Sequence, residues 1–82
     1  MTILGALSSR HAEIVAHRMG LQKGEWTYVT LASDVKTMLP DRIILVEPES
    51  ASRHELRRYR ETRAALEHLA LRQRIRAEVV CL

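Results

Sequence analysis

With 82 residues, 46% of them hydrophobic and 28% charged, the chain has room for one domain with a modest core, spanning residues 1–82. No apolar run approaches the roughly 18 residues that cross a bilayer. The single cysteine, Cys81, excludes an internal disulfide and fits a reducing cytoplasm, where we expect the protein to act. The formal charge of +3 is unevenly distributed along the chain: residues 53–76 are strongly basic, with eight arginines and three glutamates.

The first part of the chain predicts a strand, a helix and a second strand. Residues 2–5 are apolar and read as a short strand. Ser8 or Ser9 can cap the helix that follows to about Met19, because a serine hydroxyl accepts a hydrogen bond from a free N–H of the first turn. Residues 26–31 are aromatic and β-branched, which indicates the second strand.

The middle of the chain contains the segment that we expect at the centre of the fold. Residues 43–46, Ile-Ile-Leu-Val, are four large apolar residues without polar alternation, a pattern typical of a strand covered on both faces. Pro40 and Pro48 leave too little room for a helix here. Before this strand, residues 33–34 are capping residues for a short helix predicted over residues 35–39.

The last part of the chain predicts a long helix over residues 53–72. Ser52 and Glu55 have the spacing of a capping box. One helical face carries an apolar stripe that Arg63 interrupts: Leu56, Tyr59, Leu66, Leu69 and Ala70. Residues 75–81 then alternate with a period of two and predict a final strand, although a single helix continuing to the terminus remains an alternative.

The elements follow the order β-α-β-α-β-α-β. Strands separated by helices cannot pair as tight hairpins, so the order implies parallel pairing through right-handed crossovers. The sequence therefore predicts an α/β fold, a small three-layer sandwich with a mostly parallel four-stranded sheet, Rossmann-like in architecture.

Three stretches carry a resemblance to a known group of proteins: Ile3-Leu4-Gly5, Ala16-His17-Arg18-Met19-Gly20-Leu21 and Glu25-Trp26-Thr27-Tyr28-Val29. With the long basic helix, this pattern resembles small tailed-phage proteins, common in phages of actinobacteria, that have no assigned activity. The resemblance implies a minimal Rossmann-like or P-loop-like fold and a phage protein in the host cytoplasm. The chain departs from that pattern at Glu47-Pro48, where a glycine is usual after the central strand.

The loop after the first strand is where such folds bind phosphates. Here it matches neither G-x-x-x-x-G-K-[ST] nor G-x-G-x-x-G, since it has one glycine and no lysine. Ser8, Ser9 and Arg10 could still hold an anion, which makes a degenerate nucleotide-binding fold our third hypothesis; helix capping is the favoured interpretation.

No catalytic residue, cofactor or metal site is expected. The four histidines form no His-x-x-x-His pair, and the sequence contains no G-x-S-x-G elbow. A metal site formed by acidic residues at one edge of the sheet is a weak further hypothesis, with Asp34, Asp41, Glu47 and Glu49 as its members.

The arginine-rich start of the last helix is the remaining functional signal. Its candidate contact residues for an acidic partner or polyanion are Arg53, Arg57, Arg58 and Arg60. Pairs at i,i+4 spacing, Arg57 with Glu61 and Arg63 with Glu67, would neutralise part of this charge. We therefore expect a non-enzymatic protein-interaction module that binds a host or phage protein or another copy of itself through the final helix or strand. The alternative is a nucleic-acid-binding accessory protein, which the scarcity of aromatic residues disfavours.

Overall fold

The computed structural model describes residues 1–35 and 38–81. Four parallel strands form one sheet in the order β2-β1-β3-β4. The strands are β1 (Thr2–Gly5), β2 (Trp26–Val29), β3 (Arg42–Glu47) and β4 (Ala77–Cys81). The helices are α1 (Ser9–Arg18) and α2 (Arg53–Gln73). The α/β class, the parallel four-stranded sheet and the strand-like C-terminus are confirmed.

The sheet is covered on both faces, as the apolar run in β3 predicted. Ile44 and Val46 pack in a cluster with the buried residues of α1, whereas Ile43 and Leu45 pack in a second cluster with Leu66 and other residues of α2. All four residues of the run are at most 1% exposed. Successive side chains of a strand point to opposite faces, so an uninterrupted apolar run serves two helical layers at once.

The second crossover differs from the prediction. In place of an α-helix over residues 35–39, the described residues contain a 3₁₀ turn at Ala32–Val35, and Met38 to Pro40 are not helical. Pro40 disfavours a helical conformation of the residue before it, which leaves too few residues for an α-helix. Residues 36–37 of the predicted helix lie outside the described residues.

Arg74 ends α2 and separates it from β4. Its φ of 57° is left-handed, and the N–H groups of Arg74 and Ile75 donate to the carbonyl groups of Leu71 and Ala70. These hydrogen bonds satisfy carbonyl groups of the last turn and reverse the chain direction. The alternative of one helix continuing to the terminus is therefore wrong.

Helix α2 lies close to β1 because Gly5 has no side chain. A Cβ atom at Gly5 would overlap Cδ1 of Leu66, which is fully buried. The turn of α2 that contains Leu66 is thereby held close to the carboxyl end of β1, which determines where the polar side chains of the preceding turns can reach.

Candidate functional site

The carboxyl ends of β1 and β3 lie side by side in the middle of the sheet. From β1 the chain passes through α1 to β2 on one side, and from β3 it passes through α2 to β4 on the other. Open α/β sheets bind ligands in the crevice where the chain diverges in this way. The side chains around these two strand ends are therefore the first candidates for a functional site.

The three residues of the predicted anion site lie at the start of α1. Ser8 is the N-cap, and its Oγ accepts a hydrogen bond from the backbone N–H of His11 at 3.3 Å. Ser9 and Arg10 are exposed on the first turn. The Ser8 hydroxyl thus caps α1, as the capping interpretation predicted. Anion binding by Ser8, Ser9 and Arg10 remains a prediction.

Two side chains of α2 are bonded to the segments that leave β1 and β2. Arg58 is half-buried, and its Nη2 donates to the carbonyl oxygen of Leu7 at 3.0 Å. Thr62 is fully buried, and its Oγ1 lies 3.1 Å from two carbonyl oxygens, that of Thr30, directly after β2, and that of Arg58, one turn earlier in α2. These groups link the helix to both strand ends, so Arg58 differs from the other arginines of the predicted contact set.

A third link joins α2 to the end of β3. Arg63 forms ion pairs with Glu47 and, at 2.7 Å, with Glu67. The Arg63–Glu67 pair confirms the i,i+4 prediction. Tyr59 lies beside this group and is 3% exposed. Burial raises the pKa of Tyr59 to about 12, and the negative charge of Glu47 contributes to the same shift.

Several polar groups near these strand ends are withdrawn from solvent. His11 Nδ1, Arg58 Nε and the Tyr59 hydroxyl are buried and make no hydrogen bond within the described residues. Glu55 completes the predicted capping box by accepting from the backbone N–H of Ser52 at 3.0 Å. That hydrogen bond, followed by the charges of Arg58 and His11, lowers the pKa of Glu55. Polar side chains of α2 and of the start of α1 are therefore buried beside these strand ends.

The proposed acidic metal cluster is wrong. Asp41 precedes β3 and Glu47 ends it, so the two carboxylates stand at opposite ends of the same strand. In the part of the chain that the structure describes, no three His, Cys, Asp or Glu side chains lie close enough to hold one metal ion.

The outward side of α2 forms an open groove of about 730 Å³. It is lined by Arg53, Leu56, Arg57, Arg60, Glu61 and Ala64. The three arginines are exposed, whereas Leu56 is half-buried. The predicted ion pair between Arg57 and Glu61 is not formed, and none of the three arginines has an ion-pair partner among the described residues. Their charge is therefore free for an external partner.

A second concavity continues this surface along α2. It is lined by Ala32, Ser33, Val35, Ala64, Ala65, His68 and Arg72. Ala64 belongs to both concavities, so we treat them as one feature, the basic groove, which follows α2 from Arg53 to Arg72. Small apolar side chains form its floor, with arginines at both ends.

Sequence reasoning missed two features of this site. Thr62 was not singled out, and Arg58 was grouped with the exposed arginines. A signal was present, because Arg58, Thr62 and Leu66 recur at i, i+4 and i+8 and so share the helix face that contacts the sheet. The half of the basic groove beside the 3₁₀ turn had no sequence signal, since it depends on which element packs against α2.

Comparison with known proteins gave no match to a family model, a curated protein or a solved structure. Among the described residues, no helix has the length and apolar character needed to span a membrane.

Proposed function

We propose that this protein is a non-enzymatic interaction module that binds an acidic segment of a partner protein in the basic groove. The observation that carries the proposal is a set of exposed arginines that have no ion-pair partner among the described residues and lie beside an apolar floor: Arg53, Arg57 and Arg60. An acidic amphipathic segment matches both features, because its carboxylates meet the arginines while its apolar side chains cover Leu56 and Ala64.

The likeness to small tailed-phage proteins supports a host or phage protein as the partner, encountered in the cytoplasm of an actinobacterial host. The engagement of Arg58, Thr62 and Arg63 in links to the strand ends supports a binding role over catalysis, because these groups occupy the edge where open α/β sheets place reactive side chains.

Nucleic acid is the alternative partner, and the same arginines would contact its phosphates. The composition of the groove disfavours it: Glu61 lies among the arginines, and the floor is alanine and leucine, with no aromatic platform for bases. A phosphate-binding surface would also lose affinity steeply with added salt.

The test compares two charge-matched variants with the wild type. Arg57→Glu with Arg60→Glu reverses the groove, and Arg10→Glu with Arg18→Glu reverses two exposed arginines of α1. Each protein is immobilised and used to capture partners from an actinobacterial host lysate, with mass spectrometry as the readout. We expect a partner that the wild type and the α1 variant retain and that the groove variant loses, with affinity lowered by about tenfold or more.

A partner retained equally by the groove variant would place the interface elsewhere. Salt titrations with double- and single-stranded DNA and RNA distinguish a nucleic-acid partner from a protein partner. Tight binding of nucleic acid at low salt, abolished in the groove variant, would favour nucleic acid as the partner. Both variants should unfold like the wild type, within about 0.5 kcal/mol, because all four arginines are exposed.

A further inference from the structure

Glu61 is an acidic residue in the middle of the basic groove. It is exposed, and it lines the first concavity together with three exposed arginines. Ala64 and Ala65 follow three and four positions later in α2, and both line the second concavity. Residues three and four positions apart are neighbours on the surface of a helix, so Glu61 stands where the two concavities meet.

The carboxylate of Glu61 differs from those of the other two glutamates of α2. Glu55 completes the capping box, and Glu67 forms an ion pair with Arg63. Glu61 takes part in none of the ion pairs among the described residues, and its predicted pair with Arg57 is not formed. Its negative charge therefore faces whatever binds in the groove.

Cationic side chains lie on both sides of Glu61 along the helix axis. Arg57 and Arg60 lie within about one turn of it towards the start of α2. Arg72 lies about three turns away in the other direction, roughly 16 Å along the axis. The charge along the groove is therefore positive, then negative, then positive again, instead of uniformly positive.

This charge pattern suits a protein segment better than a nucleic acid. A nucleic-acid strand carries a negative charge at every phosphate and offers no cationic group. A strand that follows the groove from Arg57 to Arg72 must place phosphates beside the carboxylate of Glu61. An acidic protein segment can instead present a lysine or arginine at this point, between carboxylates that meet the arginines. Repulsion of the wrong partner by a like charge is a general source of specificity at interfaces.

We propose that Glu61 is the specificity-determining residue of the basic groove. It excludes uniform polyanions such as nucleic acid, and it selects an acidic segment that places a lysine or arginine opposite Glu61. The inference rests on the proposed function for the class of partner and adds the charge pattern of the bound segment. Acidic side chains on either side of that cation meet Arg57 and Arg60 at one end and Arg72 at the other.

Binding of a single-stranded oligothymidylate tests the exclusion. Glu61→Gln removes the negative charge and keeps the side-chain size, and Glu13→Gln, at an exposed position of α1, changes the net charge equally. We expect Glu61→Gln to raise the affinity at low salt by about fivefold or more, and Glu13→Gln by less than about twofold. Equal gains in the two variants, or no gain in Glu61→Gln, would overturn the proposal.

A lysine scan of an all-glutamate peptide tests the selection. One lysine is placed at each position of the peptide in turn, and fluorescence anisotropy measures binding to the wild type and to Glu61→Gln. We expect at least one lysine derivative to bind the wild type several-fold more tightly than the parent peptide, and this preference to disappear in Glu61→Gln. The selection is refuted if the wild type prefers no lysine derivative, or if Glu61→Gln retains the preference.

Failure of this inference can be distinguished from failure of the proposed function. The proposed function is tested by partner capture with Arg57→Glu and Arg60→Glu, which leaves Glu61 unchanged. A partner lost by that variant, together with equal oligothymidylate affinities of the wild type and Glu61→Gln, would keep the groove as the binding site and reject the role of Glu61. A partner retained by that variant, together with the gain in Glu61→Gln, would reject the proposed function and leave the exclusion of polyanions by Glu61 intact.

Discussion

The two sides of α2 differ in burial and in charge although they belong to one helix. On the inward side, Tyr59, Thr62 and Leu66 are at most 3% exposed. On the outward side, Arg57 and Arg60 are exposed and have no ion-pair partner among the described residues. The inward side therefore contributes to the stability of the fold, and the outward side is available for recognition.

The inward side of α2 places polar side chains at the edge of the sheet where open α/β folds usually bind ligands. Helices in open α/β sheets normally leave the crevice between the diverging strands free. In this chain Arg58, Thr62 and Arg63 extend from α2 to the ends of β1, β2 and β3. Residues that stabilise the fold and residues of the proposed binding surface thus lie on opposite sides of a single helix, and substitutions can test each side alone.

The largest effect is expected at the contact between Leu66 and Gly5. Leu66→Ala should lower the free energy of unfolding by about 2–5 kcal/mol, because it empties a fully buried position. Gly5→Ala should lower it by about 1–3 kcal/mol, because the new Cβ would overlap Cδ1 of Leu66. Urea denaturation followed by circular dichroism measures both.

The double variant sharpens this result. With Leu66→Ala the overlapping atom is gone, so the Cβ of Gly5→Ala fills part of the cavity. The double variant should therefore lose less unfolding free energy than the sum of the losses in the two single variants. Strict additivity would mean that α2 does not approach β1 as closely as the structure shows. Partner capture by the basic groove should survive in each variant under conditions where it is folded.

A smaller effect is expected from the buried hydroxyl of Thr62. Thr62→Val keeps the side-chain volume but removes the only hydroxyl that the carbonyl oxygens of Thr30 and Arg58 share, which should cost about 1–2 kcal/mol of unfolding free energy. Thr27→Val, at a half-buried position of β2, is the matched control and should cost little, since valine suits a strand. Equal effects of the two changes would show that the Thr62 link does not stabilise the fold.

Most of the fold could be predicted because its signals are local. The apolar run at Ile43–Val46 predicted a strand buried on both faces, and Ser52 with Glu55 predicted the start of α2 to the residue. The helix predicted after Ser33 was wrong, because a short segment before Pro40 has too few residues for its pattern to distinguish an α-helix from a single 3₁₀ turn.

The site could be predicted only in part, because burial depends on the neighbouring elements. Arg57 and Arg58 are adjacent and chemically identical, yet Arg57 is exposed and Arg58 donates to Leu7. Helical periodicity assigns Arg58 to the inward side together with Thr62, but it cannot identify the carbonyl group that Arg58 reaches. That contact requires the distance between α2 and β1, which Gly5 determines.

The smallest effect at neutral pH, and the one most specific to the inward side, is expected from Tyr59→Phe. The hydroxyl of Tyr59 is buried without a hydrogen-bond partner among the described residues, so its removal should change stability at pH 7 by less than about 0.5 kcal/mol or increase it. The wild type and the variant should diverge only in alkali.

The direction of that divergence follows from the pKa of Tyr59, which burial and Glu47 raise from 10.0 to about 12. Above pH 10 the unfolded chain releases the phenol proton while the folded chain retains it, so the stability contributed by the neutral phenol is lost as the pH rises towards 12. Wild-type stability should therefore fall more steeply between pH 10 and 12 than that of Tyr59→Phe, measured by urea denaturation. Tyr28→Phe, at a position 44% exposed, should follow the wild type. Parallel curves for the wild type and Tyr59→Phe would mean that Tyr59 ionises freely and that the inward side of α2 is open to solvent.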